Sequence, residues 1–234
     1  MTRPSDKILL MAKSVPVTFP TESAGEVSAL LLRPDNPRWL LIFAHGAGAG
    51  MRHSFMESLS SELAALQIAT FRYQFPYMEK RSGRPDSPAI LTATVAAALR
   101  AASEAAPGLP LLAGGKSMGG RMTSQAGAQN LLPDVSGLVF FGFPLHPPGS
   151  PSTKRAEHLT KVPLPMLFLQ GTRDTLADLK LLRPVVKKLG DLATLHIIES
   201  ADHGFHVLKR SGKTDASVLA ELAQTTAEWA SNLK

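Results

Sequence analysis

A chain of 234 residues, 44% of them hydrophobic, is long enough to bury a core of its own and falls within the length of one domain. The absence of cysteine excludes disulfides, thiolate metal sites and a cysteine nucleophile, and the formal charge of +6 is scattered, with no basic block of the kind that grips nucleic acid. There is no run of about 18 apolar residues to span a membrane, and Ile8 to Met11 is too short for a signal-peptide core, so the chain is expected to be cytoplasmic and to bind neither membrane nor nucleic acid.

Residues 1–14 read as a loosely held terminus and residues 15–234 as a single domain. Val15 to Phe19 is a candidate edge strand, followed by apolar strands near 27–32 and 39–44. A helix is expected over 55–66, where Ser54 and Glu57 have capping-box spacing and Leu59, Leu63 and Leu66 share a face. A strand at 68–72 leads to an irregular segment, 74–87, and then to a helix over 88–104, with Ser87 as cap, Pro88 at its first position and a thin face of Ala93, Ala96, Ala97 and Ala101. Strands near 109–113, 137–142, 165–170 and 193–198 alternate with helices near 118–130, 176–189 and 215–232, and a second irregular segment fills 143–163. This alternation predicts a three-layer α/β sandwich with a mostly parallel central sheet and no large cap domain. Both irregular segments are long for plain connections and follow strands, so they are expected to wall a site at the carboxyl edge of the sheet.

The chemistry concentrates in Leu111 to Gly120, an apolar strand running into Gly115-Lys116-Ser117-Met118-Gly119 and then a helix. A serine on so sharp a strand-to-helix turn leaves no room for side chains two residues away on either side, and Gly115 and Gly119 have none. The same turn aims the Met118 amide at the negative oxygen of a tetrahedral intermediate. Gly115-Lys116-Ser117 also ends a phosphate-binding P-loop pattern, but that pattern needs glycine at 110, where the chain has Pro110, and residues 111–113 read as strand.

A serine hydroxyl needs a base, and this fold supplies acid and base in the order Ser, acid, His. Asp174 follows the strand Met166 to Gln170, and His203 lies in the loop after Leu195 to Ile198. His203 would take the Ser117 proton and Asp174 would hold its tautomer. His206 reads as a surface or packing residue, Asp178 as a solvated helix residue and Asp202 as a turn former; His203 and His206 lack a third ligand at metal spacing. The loop His45 to Gly50 is expected to supply the second oxyanion donor from the Ala47 amide, with His45 as its brace. His53, His146, His158 and His196 have no companions that raise them above structural roles. Lys116, Arg121 and Tyr77 are candidate substrate contacts; if Lys116, Arg121, Lys80, Arg81 and Arg84 faced the mouth they would favour an anionic substrate, whereas solvent or acids such as Glu79 and Asp86 would absorb them otherwise.

With these pieces the sequence resembles the α/β-hydrolase superfamily over nearly its whole length, closest to small hydrolases akin to dienelactone hydrolase. The runs His45 to Gly50, Phe75 to Glu79, Gly114 to Arg121 and Pro144 to Pro148 resemble a branch that includes testis-expressed protein thirty and the hydrolase-like subunit of the nonspecific-lethal chromatin complex. The resemblance implies the fold and the roles of Ser117, Asp174 and His203, but no substrate, because Ser117 stands where dienelactone hydrolase has cysteine. Two functions follow: a serine hydrolase of a small-molecule ester or related acyl bond that needs no cofactor and no metal, or an interaction module that has kept the architecture.

Overall fold

Strands with apolar side chains on both faces must be covered on both, and helices of period 3.6 supply the cover. The computed structural model describes residues 13–22 and 24–233; of the terminus expected to be loosely held, residues 1–12 lie outside those described. In chain order the strands are β1 (Val15–Thr21), β2 (Gly25–Leu32), β3 (Trp39–Ala44), β4 (Ile68–Tyr73), β5 (Leu111–Lys116), β6 (Val135–Phe141), β7 (Met166–Gly171) and β8 (Ala193–Ile198). The helices are α1 (Ser54–Ala65), α2 (Pro76–Glu79), α3 (Pro88–Ala105), α4 (Met118–Ala128), α5 (Leu179–Leu189) and α6 (Asp215–Ser231). All eight strands share one sheet in the order β1-β2-β4-β3-β5-β6-β7-β8. The β1–β2 and β2–β4 pairs are antiparallel and the rest are parallel.

Alternation along the strands divides the core. In β3, Leu40, Ile42 and Ala44 join the cluster beneath α3, α4 and α5, while Leu41 and Phe43 join the cluster beneath α1 and α6. Leu59 and Leu63 of α1 are fully buried in the second cluster, each contributing about 1.5–3 kcal/mol by its removal from water. In α3 the buried stripe is Leu91, Val95, Ala98 and Ala102, and two members of the expected alanine face, Ala93 and Ala101, are only half-buried. Rotation about the helix axis that buries Leu91 and Val95 removes more apolar area from water than one centred on alanines.

Two helix starts differ from the sequence reading. His53, not Ser54, caps α1: its backbone is extended and its Nδ1 accepts the Phe55 amide at 3.2 Å, leaving Ser54 inside the first turn. The helix expected from 176 begins at Leu179, because Asp178 caps it by accepting the Lys180 amide at 2.8 Å. Ser87 caps α3 as expected, accepting from Ile90, with Pro88 in the first turn. No helix among the described residues is long and apolar enough to cross a membrane. Because β3, β5, β7 and β8 run parallel, the loops that follow them emerge along one edge of the sheet, which gathers residues 45–50, 117, 172–178 and 199–206.

Candidate active site

At the end of β5 the chain turns through Ser117 in the left-handed region, φ 52° and ψ −115°, before entering α4. A non-glycine residue held there stores about 1–3 kcal/mol of strain. The neighbours explain how it is held. A Cβ at Gly115 would sit 2.5 Å from the Ala44 carbonyl oxygen, and one at Gly119 would sit 2.5 Å from the same oxygen and 2.6 Å from that of His45, so β5 and α4 close on β3 only because both positions are glycine. The Ser117 amide donates to the Phe141 carbonyl at 3.1 Å, and the Ser117 carbonyl accepts the Arg121 amide at 3.1 Å.

Opposite the serine, the loop after β8 presents His203. Asp202 shapes that loop by accepting the amides of Gly204 and His206 at 2.8 and 2.9 Å. The loop after β7 supplies Asp174, whose Oδ1 accepts the Leu176 amide at 2.8 Å and whose Oδ2 accepts the Gln170 side-chain amide at 2.5 Å. His203 Nδ1 lies 2.7 Å from Asp174 Oδ2 and its Nε2 lies 2.8 Å from Ser117 Oγ. A carboxylate can only accept, so Nδ1 carries the proton and Nε2 is left to accept the serine hydroxyl. Asp174 is 6% exposed, so the carboxylate is shielded from water, and its hydrogen bonds hold it in place.

The loop after β3 closes the other side. His45 Nδ1 donates to the Gly46 carbonyl at 2.7 Å while its Nε2 accepts the Phe75 amide at 3.1 Å, an arrangement that only a neutral ring can make. Burial pushes the His45 pKa down from 6.5 to about 4, against the smaller upward pull of its bond to Gly46. Tyr77 Oη accepts the Gly48 amide at 3.0 Å and Gln74 Oε1 accepts that of Met51 at 2.8 Å. Ala47 is exposed between these ties. Neither its amide nor that of Met118 donates to a protein acceptor among the described residues. Two unclaimed amides beside a serine hydroxyl could together receive an oxyanion.

A cavity of about 450 Å³ opens on Ser117 and His203, with apolar walls from Phe55, Met56, Leu176, Phe205 and Leu219. The Ala47 and Lys116 side chains also line it, and His206 and Asp215 pair at 2.7 Å on its rim. The hydrogen bond to Asp215 raises the His206 pKa.

Residues 37–231 match the family described as the alpha/beta hydrolase domain. The chain belongs to that family. Among solved structures, the dienelactone hydrolase of Anabaena variabilis superposes with a TM-score of 0.75 at 19% identity, covering 95% of this chain and 99% of that one. An α/β serine hydrolase without a lid from Xanthomonas campestris gives 0.74 at 19% identity over 94% of this chain and 97% of its own. A cold-adapted esterase from an Arctic intertidal metagenomic library gives 0.69 at 17% identity over the whole of both chains. These likenesses establish the fold.

Within this hydrolase, Ser117, Asp174 and His203 meet, and Ala47 and Met118 flank them, but the expected walls do not. No residue of segments 74–87 or 143–163 lines the cavity, whose walls are the first turns of α1 and α6 and the loops after β3, β7 and β8. The irregular segments brace those loops from behind, through Phe75 and Tyr77 on one side and through the His146 amide bonded to the Leu176 carbonyl on the other. Tyr77 is buried and holds Gly48, so it is not a cavity wall; Arg121 lies on α4 outside the lining, near Arg155 and His158. Lys80, Arg81 and Arg84 are exposed and do not reach the mouth, and Glu79 and Asp86 accept the Ser28 and Tyr77 amides rather than pairing with them. Sequence reasoning missed Gln170, although a lone amide closing the buried strand Met166–Gly171 marks a polar group in need of a partner.

Proposed function

We propose that the protein is a serine hydrolase that cleaves a carboxylic ester or a related acyl bond, with residues 15–234 acting as one catalytic domain. The observation that carries this reading is the hydrogen-bonded chain from Ser117 through His203 to Asp174, at 2.8 and 2.7 Å, at the mouth of a cavity. Ser117 Oγ attacks the substrate carbonyl as its proton passes to His203 Nε2, and the negative charge on the carbonyl oxygen falls to the amides of Ala47 and Met118. Collapse of the tetrahedral intermediate breaks the bond to the alcohol, which leaves with the proton held by His203. Water, deprotonated by the same imidazole, then hydrolyses the acyl-enzyme and returns the serine. Asp174 keeps the Nδ1 proton in place and balances the imidazolium.

The apolar walls favour a neutral ester with a hydrophobic acyl or alcohol group. A fluorophosphonate probe tests the reading without knowledge of the substrate, since it needs only an activated serine. Labelling of the wild type that disappears in Ser117→Ala is the expected result; a wild type that remains unlabelled overturns it and favours the interaction module.

A further inference from the structure

Lys116 precedes Ser117 and lines the cavity, where its ammonium is held against the protein. Its Nζ donates to the backbone carbonyl of His203 at 2.5 Å, crossing from the end of β5 to the loop after β8. On the way it lies 5.7 Å from the ring centroid of Phe55 and 5.3 Å from that of Phe205, two rings stacked at 5.7 Å with an interplanar angle of 14°. The space it uses is kept open by Gly142, whose φ is 71°: a Cβ there would stand 3.1 Å from Lys116 Nζ and 3.5 Å from His203 Nδ1 and Cε1.

Resting on the hydrolase reading above, we propose that Lys116 is a positioning residue for the base. Held against Phe55 and Phe205 and bonded to the His203 carbonyl, it fixes the loop that presents the imidazole to Ser117. The bonds within the loop, from the amides of Gly204 and His206 to the Asp202 carboxylate and from the Asp202 amide to the His206 carbonyl, close the turn on itself, and the Lys116 bond ties His203 itself to the end of β5. The loop contains Phe205 with φ 66°, and it must keep both imidazole nitrogens aligned at once. A cation donating to the carbonyl of the base residue itself acts on that residue's backbone, and the neighbouring aromatic rings attract the ammonium. The charged groups facing it are Asp174 from the loop after β7 and Asp202 and His206 from the loop after β8. Burial pushes the Lys116 pKa down to about 8, with Asp174 and Asp202 pulling it upward.

The role differs from that of an anchor for anionic substrates and from that of a space filler, and two variants separate them. Lys116→Met keeps the length and the apolar stem but removes the donor; Lys116→Arg restores a cationic donor. With a neutral short-chain ester, kcat in Lys116→Met is expected to fall about 10- to 100-fold, the scale of a catalytic group displaced by up to about 1 Å, while KM changes by less than about twofold and Lys116→Arg recovers part of the loss. A second readout needs no turnover: the downfield proton NMR signal of the His203 Nδ1 proton, bonded to Asp174, should be sharp in the wild type and broadened by solvent exchange in Lys116→Met. Unchanged kcat together with an unchanged Nδ1 signal would overturn the proposal, as would a loss confined to KM for carboxylate-bearing esters, which would make Lys116 a substrate anchor. If the wild type takes no fluorophosphonate, the hydrolase reading fails, and the Nδ1 signal still decides whether Lys116 orders His203.

Discussion

Two serine–histidine contacts lie along the same helix. Ser117, which leads into α4, meets His203 at 2.8 Å, and Ser124, inside α4, meets His158 at 2.7 Å. Distance does not distinguish them, but their surroundings do. Ser124 is fully buried, and its hydroxyl proton is given to the Arg121 carbonyl at 2.8 Å, so His158 Nε2 must be the donor in their contact. Burial, reinforced by the Arg121 charge, pushes the His158 pKa from 6.5 down to about 4, and no carboxylate meets its other nitrogen among the described residues. Ser117 instead donates to a ring whose far nitrogen is bonded to Asp174, and it faces a cavity. A serine near a histidine becomes a nucleophile only when the proton can move toward the ring and a third group can hold the resulting charge.

The sharpest way to break this comparison is to remove one serine at a time. Ser117→Ala should lower kcat by about 10⁴- to 10⁶-fold with folding intact, whereas Ser124→Ala should leave kcat within about twofold and cost about 1 kcal/mol of stability for a lost buried hydrogen bond. Ester hydrolysis alongside urea melts reads both effects, and a Ser124→Ala variant as dead as Ser117→Ala would reverse the assignment. His203→Ala and Asp174→Asn come next, each with an expected loss of about 10⁴-fold, against less than about tenfold for His206→Ala and Asp178→Asn, whose partners lie outside the proton path. Equal losses at 203 and 206 would remove His203 from its role.

The buried histidines sharpen the comparison through pH. His45 and His158 have folded pKa values near 4, below the 6.5 of the unfolded chain, so on acidification the unfolded chain takes up protons first. Their contribution to stability is therefore complete above about pH 6.5 and is lost as the pH falls toward 4. Thermal melts between those limits should show Tm falling with pH, and His158→Gln should flatten the slope without altering kcat at pH 7.5 by more than about twofold. A slope identical to that of the wild type would mean that His158 is not held neutral by the fold. The smallest effect is expected at Tyr77→Phe, which deprives the Gly48 amide of its acceptor and loosens the loop beside Ala47, for a loss in kcat of a few-fold with unchanged KM. A change in KM alone would return Tyr77 to the substrate.

Much of this was legible in the chain because the chemistry concerned is local. Short apolar runs bounded by Gly, Pro or polar residues marked strands such as β3 and β7, and the glycines flanking Ser117 are demanded by atoms of the turn and its immediate neighbours. The order Ser117, Asp174, His203 follows from the succession of parallel strands, each ending in a loop on the same edge. Ser87 before Pro88 announced a helix start correctly, while Ser54 and Glu57 announced one that a neighbouring histidine took over.

Tertiary structure decided what depends on contacts between segments far apart in the chain. The Tyr77 hydroxyl reaches Gly48 across 29 residues, the His158 ring reaches Ser124 across 34, and the Lys116 ammonium reaches the His203 carbonyl across 87. Residue type and spacing say that Lys116 is charged and adjacent to Ser117; they do not say that Gly142 leaves room for it or that Phe55 and Phe205 lie beside it. The walls of the cavity were misplaced for the same reason: an irregular, basic segment can line a mouth or brace the loops behind it, and which it does is settled by how the sheet edge and the ends of α1 and α6 fit together in three dimensions.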